Sequence, residues 1–264
     1  MSEVEGTRTF AVAGAAYDTF MGRYSRALAV PFADAAGVQP GQSAVDVGCG
    51  PGALTGELVS RLGAGNVAAC DPTPGFVDEC AARHPGVRVG VGRAEEIPFG
   101  DHEFDHAMAQ LVYHFVSDAR GAATEMLRVV RPAGRVAACV WDFADGMEML
   151  RAFWDAAVQV EPDAPGDAQT LRYGGPNELV DLFELAGMRD VHESRLTVSS
   201  VYSGFDELWD AFLLGVGPAG AYLVSLPDDR RARLREALYR RMGEPTGSFE
   251  LHAVARCAVG TKPG

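Results

Sequence analysis

The chain has 264 residues, and 36 acidic against 23 basic side chains leave it a net charge of -13 and a pI near 4.9. No Lys/Arg block offsets that balance, so a phosphate backbone or an anionic membrane is not an expected partner. The length suits one large α/β domain that buries a sizeable core, and the five cysteines (Cys49, Cys70, Cys80, Cys139, Cys257) are odd in number and lack C-x-x-C spacing. They predict reduced thiols with neither a disulfide nor a zinc site. Met1 to Arg8 is polar and no apolar run approaches membrane-spanning length, so a cytoplasmic protein is expected. An Ala-, Gly- and Arg-rich composition suggests a bacterial source.

In chain order, the apolar run Ala44 to Val47 predicts a buried strand and Ala53 to Leu62 the helix after it. Between them Gly48, Gly50 and Gly52 allow a tight turn and close approach of backbone to a ligand. Strands at Asn66 to Cys70, Val87 to Val91 and Phe104 to Gln110, with a helix at Gly75 to Arg83, continue a βαβ rhythm that predicts a parallel sheet. Ala119 to Val130 reads as a helix stopped by Pro132 and Gly134, and Arg135 to Trp141 as the fifth strand.

Beyond residue 142 the rhythm changes. Met147 to Val160 is an aromatic helical run outside the βαβ pattern, followed by a Pro/Asp/Gly loop. Pro176 to Ala186 predicts an amphipathic helix, Arg189 to Val198 a strand, Phe205 to Leu214 and Asp228 to Met242 two helices, and Phe249 to Val259 a closing strand. Trp141, Phe143, Phe153, Trp154, Tyr202, Phe205, Trp209, Phe212 and Tyr222 gather in this half, either as the wall of an apolar pocket or as helix packing. The arginines of Asp228 to Met242 read as a solvated basic face, with an anion site as the alternative.

Asp71 closes the second strand 23 residues after Gly48, the distance at which an acid reaches a pair of ribose hydroxyls. The competing reading is a helix cap before Pro72 and Thr73. Gly48, Gly50 and Ala53 also satisfy the dinucleotide pattern G-x-G-x-x-A, which makes an NAD-dependent oxidoreductase one rival reading and a non-catalytic cofactor-binding module another. Against NAD stand the charge of Asp46 just before the turn and the missing N–H of Pro51, both poorly suited to a diphosphate.

Val45 to Gly52, Asp71, Gly92 to Phe99, Phe104-Asp105 and Leu127 to Gly134, in this order, resemble class I S-adenosylmethionine-dependent methyltransferases, and within them the type 11 group that includes quinone and natural-product enzymes. The likeness covers about residues 10 to 142. It implies a Rossmann-like, seven-stranded, mostly parallel α/β sheet with a final antiparallel strand and helices on both faces. A single domain follows, with its core at about 25–142, 173–199 and 248–260 and a helical cap at about 143–172 and 200–247.

The resemblance also implies methyl transfer from S-adenosyl-L-methionine, leaving S-adenosyl-L-homocysteine, to a small-molecule acceptor, apolar or aromatic by the composition of the second half. Carried over by position, Asp46 and Gly48 lie near the methionine amino group, Gly50 and Gly52 against the ligand, Asp71 on the ribose and Pro72 beside the adenosine. Gln110 and Leu111 line the methionine side. Where many relatives have an aspartate this chain has Arg93, which accepts no hydrogen bond, so adenine is left to the Ala94 backbone and the Glu95 carboxylate. Tyr17 would cover the sulfonium and Arg23 pair with the ligand carboxylate; alternatively Tyr17, Phe20 and Tyr24 form a helix stripe with Arg23 in water. His114, after the fourth strand, is the candidate general base, with Asp142 second and a packing role for His114 as the alternative.

Overall fold

A computed structural model describes residues 18–142, 145–165 and 172–264. Tyr17 and Phe143 lie outside the described residues. Among those described, α1 (Arg23–Ala36) precedes β1 (Ala44–Val47), α2 (Ala53–Leu62), β2 (Val67–Asp71), α3 (Pro74–Arg83), β3 (Arg88–Val91) and β4 (Phe104–Gln110). Then come α4 (Ala119–Val129), β5 (Val130–Trp141), α5 (Glu148–Val160), α6 (Glu178–Leu185) and β6 (Arg189–Tyr202). The chain closes with α7 (Phe205–Leu213), α8 (Gly217–Ser225), α9 (Asp228–Arg241) and β7 (Phe249–Thr261).

The seven strands form one sheet in the order β3-β2-β1-β4-β5-β7-β6. Strands β1 to β5 pair in parallel, and β7 is antiparallel to β5 in a register running from Arg135↔Thr261 to Trp141↔Ala255. The order reverses at β1, so the crevice at the carboxyl ends of β1, β2 and β4 is where an open α/β sheet binds its ligand. Every residue of β1 and β2 is buried, as a central parallel strand covered on both faces requires.

Alternation along the strands divides the core. Val45 and Val47, Ala107 and Ala109, and Val136, Ala138 and Val140 face the apolar sides of α4 and α6, where Met126, Leu179 and Phe183 are fully or almost fully buried. Asp46 and Met108 register with each other on the opposite face.

The chain divides into two compact units. A sheet unit comprises Ser25–Trp141, Arg172–Leu196 and Ala255–Gly264; a helical unit comprises the described residues of Met1–Tyr24, Asp142–Leu171 and Thr197–Val254. Strands β6 and β7 run through both.

The helical unit is built on its own rings. Phe153 stacks on Phe212 at 4.4 Å, Phe20 meets Phe212 edge-on at 5.4 Å, and Trp154 lies 5.5 Å from Tyr222. These aromatic side chains pack on one another, the helix-packing alternative of the sequence reading. The arginines of α9 are largely engaged as well: Arg230 with Glu161, Arg240 with Glu236, Arg241 with Asp155 and Arg235 with Asp206. No single described helix is long and apolar enough to cross a membrane.

Candidate cofactor site

The site is built on the turn between β1 and α2. Gly48 and Cys49 both donate their backbone N–H to the Cys70 carbonyl of β2, at 2.8 and 3.0 Å, which folds the loop across the end of the neighbouring strand. Gly48 has φ +74°, and a Cβ there would fall 2.5 Å from Val112 Cγ2. Gly50 has φ +51°, and among the described residues nothing lies within 4 Å of a Cβ position. The glycines thus serve different ends: Gly48 lets the loop lie on Val112, and Gly50 leaves a cradle clear. A Cβ at Gly52 would strike His84 at 2.7 Å, so that residue answers to packing.

Asp71 is buried and aimed at this loop. Its Oδ2 accepts the Gly50 N–H at 3.0 Å and its Oδ1 accepts the Thr73 N–H at 2.9 Å. Both readings of its sequence position thereby meet, since the carboxylate ties down the start of α3 and each oxygen keeps a lone pair for a further donor. Burial pushes its carboxyl above the usual range, against the pull of those two N–H groups. Pro72 beside it is exposed.

Asp46 is 1% exposed, and its Oδ2 accepts the Thr55 hydroxyl at 2.6 Å. Its Oδ1 has no hydrogen-bond partner among the described residues. Burial raises this carboxyl to about 7, with the nearby Asp71 charge adding to the rise. Thr55, in the first turn of α2, was not singled out in the sequence; the legible signal was a hydroxyl nine residues after the strand's acid.

At the end of β4, Gln110 Nε2 donates to the Ser25 carbonyl of α1 at 2.9 Å, and its Oε1 is buried without a partner among the described residues. Leu111 adopts φ +63° with its N–H on the Cys139 carbonyl at 2.8 Å, a left-handed conformation that a leucine rarely takes. Nothing in the sequence announces that strain. Ala94 is buried on the loop after β3.

Three expected roles change. Glu95 Oε1 accepts from Ser117 Oγ at 2.9 Å and from the Ser117 and Asp118 N–H groups, so the carboxylate expected on adenine holds the loop before α4 instead. Burial alone would raise it, but those hydrogen bonds and Arg93 hold it below the usual range. Arg23, in the helical unit, pairs with Glu207 and lies 4.2 Å over the Tyr202 ring, and this engages the guanidinium expected on a ligand carboxylate. The Arg23 charge holds the Glu207 carboxyl down at about 2.

His114 is the third. It is 2% exposed; its Nδ1 lies 2.6 Å from the Arg172 carbonyl and its Nε2 accepts the Trp141 N–H at 3.0 Å. The carbonyl accepts, so Nδ1 carries the proton and the lone pair of Nε2 is committed to backbone. No lone pair remains to take a proton from an acceptor, and burial lowers the ring to about 4. His114 is a bracket between β5 and the segment at Arg172, not a general base. Asp142 also serves the backbone, its Oδ1 accepting the Asp145 N–H at 3.0 Å.

Among the described residues no group of three His, Cys, Asp or Glu side chains is placed to hold a metal. Residues 45–138, the span of the loop, Asp46, Asp71, Gln110 and Leu111, match a family model described as a methyltransferase domain, of type 11. The central segment is thus similar to methyltransferase domains. This segment is 35% identical over 103 residues to a demethylmenaquinone methyltransferase of Beutenbergia cavernae, covering 39% of this chain and 42% of that one. A malonyl-[acyl-carrier protein] O-methyltransferase of Erwinia billingiae is 31% identical over 169 residues, 58% of this chain and 66% of that one. The chain thus spans less than two thirds of the length of either of these relatives.

In fold, it matches phosphoethanolamine N-methyltransferase 2 of Haemonchus contortus, solved with phosphomonomethylethanolamine and S-adenosylhomocysteine. The TM-score is 0.57 at 15% identity, over 95% of this chain and 57% of that one. At that identity the likeness speaks for the sheet and its order. The seven-stranded, mostly parallel α/β architecture expected from the sequence is therefore present, and it is shared with that enzyme.

Proposed function

We propose that this protein transfers a methyl group from S-adenosylmethionine to a small-molecule acceptor. The observation that carries the reading is a pair of buried carboxylates, Asp46 and Asp71, at the ends of adjacent strands β1 and β2 on either side of the glycine loop. Asp46, just before the loop, repels a diphosphate and so weighs against an NAD site, while Asp71 suits the ribose of either ligand. Together the two acids suit a ligand that presents hydroxyls to one and an ammonium to the other.

The residues fit that donor. Asp71, oriented by Gly50 and Thr73, has lone pairs for the ribose hydroxyls; Asp46, steadied by Thr55, has a free oxygen for the amino group. Gly50 keeps the cradle clear, Gly48 brings backbone to it, and Gln110 and Leu111 border it from β4. With Glu95 engaged elsewhere, adenine falls to the backbone at Ala94, flanked by Pro72.

When bound, the sulfonium supplies an activated methyl group whose transfer is an in-line displacement. The chain then contributes alignment and exclusion of water rather than acid-base chemistry, consistent with the committed nitrogens of His114. Acceptors that need no strong base, or that arrive already ionised, suit such a site.

Calorimetry with S-adenosylhomocysteine and with NADH tests the reading. Binding of the former and not the latter is expected; binding of NADH alone overturns it.

A further inference from the structure

Among the described residues, three oxygens of the sheet unit are buried without a hydrogen-bond partner: Ser25 Oγ, Asp46 Oδ1 and Gln110 Oε1. They come from three elements, α1, β1 and β4, far apart in the chain. Asp46 registers with Met108 across β1 and β4, and Gln110 follows Met108 by two residues, so both side chains leave the same face of the sheet. The hydrogen bond from Gln110 Nε2 to the Ser25 carbonyl holds α1 against that face.

A fourth unpartnered atom on β4, His106 Nδ1, belongs elsewhere. His106 registers with Ala44, at the start of β1, and its Nε2 lies 2.9 Å from Gln42 Oε1. Asp46 and Gln110 therefore stand at the carboxyl end of the strands, where an open α/β sheet binds its ligand, and the hydrogen bond to its carbonyl sets Ser25 beside Gln110.

An oxygen left unpaired in the interior destabilises the fold, because it has given up its hydrogen bond to water. A chain that folds with three of them at one strand end holds acceptors for a donor it does not itself supply. Their chemistry narrows the ligand: a hydroxyl, an ionisable carboxyl and an amide carbonyl all accept, and the carboxylate repels an anion. A primary ammonium presents three N–H donors and one positive charge, matching the set in number and in sign.

We propose that Ser25 is a donor-binding residue whose hydroxyl joins Asp46 Oδ1 and Gln110 Oε1 as the third acceptor for the α-ammonium of the methyl donor's amino-acid tail. The assignment rests on the S-adenosylmethionine reading above. It makes the amino-acid tail, and not only the nucleoside, a determinant of affinity, and it gives the start of α1 a function independent of Arg23.

The experiment compares two ligands by calorimetry: S-adenosylhomocysteine, which carries the amino-acid tail, and 5′-methylthioadenosine, which lacks it. Ser25→Ala is expected to weaken S-adenosylhomocysteine about tenfold, the size of one hydrogen bond to a charged group, and to leave 5′-methylthioadenosine within about twofold. Gln110→Met should show the same selectivity. Thermal unfolding of free Ser25→Ala supplies a readout independent of ligand: with no partner to lose, the variant should melt at or above the parent temperature.

Unchanged affinity for S-adenosylhomocysteine, equal losses for both ligands, or a lowered melting temperature of the free variant each overturns the assignment of Ser25 while leaving the donor reading intact. A parent protein that binds neither ligand overturns both.

Discussion

The N–H of Gly50 and the carboxylate of Asp71 meet at 3.0 Å, joining the loop after β1 to the end of β2. The same carboxylate holds Thr73 at the start of α3, so one side chain sets the shape of two neighbouring turns. Asp71→Ala removes both bonds. It should lower the free energy of unfolding by about 1–3 kcal/mol in urea denaturation and weaken S-adenosylhomocysteine in calorimetry. Asp71→Asn, which keeps one acceptor, should retain more stability than affinity.

Gly48 and Gly50 are predicted to part company on substitution. At Gly48 a methyl group meets both a left-handed φ and Val112 at 2.5 Å, so Gly48→Ala should destabilise the fold by about 2–4 kcal/mol. At Gly50 only the backbone penalty of about 1–2 kcal/mol applies, because no described residue meets the added methyl group. Gly50→Ala should therefore fold and lose ligand affinity. A Gly50→Ala variant with parental affinity would remove that position from the cradle.

Acid lability should have a histidine signature. His106 and His114 are both lowered by burial to about 4, below the value near 6.5 of an unfolded histidine. The unfolded chain then binds more protons between these values, so stability is complete above about pH 6.5 and falls as pH drops toward 4. Each fully buried ring accounts for up to about 3 kcal/mol over that window. Replacing His114 with Gln should flatten the acid limb of a melting-temperature profile and leave methyl-transfer pH dependence unaltered. A shifted activity profile without a change in stability would restore the general base.

Asp46 has the opposite sign. Its folded value, raised to about 7, exceeds the unfolded carboxylate value, so the folded protein holds the extra proton and this contribution is lost as pH rises from about 4 through 7. A bound ammonium favours the ionised carboxylate. S-adenosylhomocysteine binding near pH 6.5 should therefore release protons, read as a dependence of the calorimetric enthalpy on the ionisation enthalpy of the buffer. Asp46→Asn should abolish that dependence.

Strand β1 and helix α2 were legible to the residue, because an apolar run and a glycine turn leave no competing pattern between Ala44 and Leu62. Punctuation misled elsewhere. Pro218 reads as a breaker but occupies the first turn of α8, where a missing N–H does no harm, and the helix Gly217–Ser225 escaped notice. Pro132 and Gly134 suggested that β5 starts at Arg135; the strand begins at Val130 and absorbs them through a register shift, with Ala133 at φ +62°.

Within the site, Asp46 and Asp71 announced themselves as acids at strand ends. Nothing local betrayed the partners of His114, which are backbone atoms 27 and 58 residues away, or the pairing of Arg23 with a glutamate 184 residues on. Side-chain type sets what a group can do; distant chain decides whether it is free to do it.

The helical unit is drawn from separated stretches of chain, with Asp142–Leu171 and Thr197–Val254 each leaving the sheet unit and returning to it. It cannot be cut out as one fragment, yet each stretch is an insert with both ends anchored. Exchange with another protein thus takes, besides the stretch up to Tyr24, two internal grafts, whose junctions fall next to Trp141 and Arg172 for one and inside β6 and β7 for the other. The first replaces α5 without breaking a strand; the second must splice two strands in matching register, which makes α5 the more readily diversified part of this architecture.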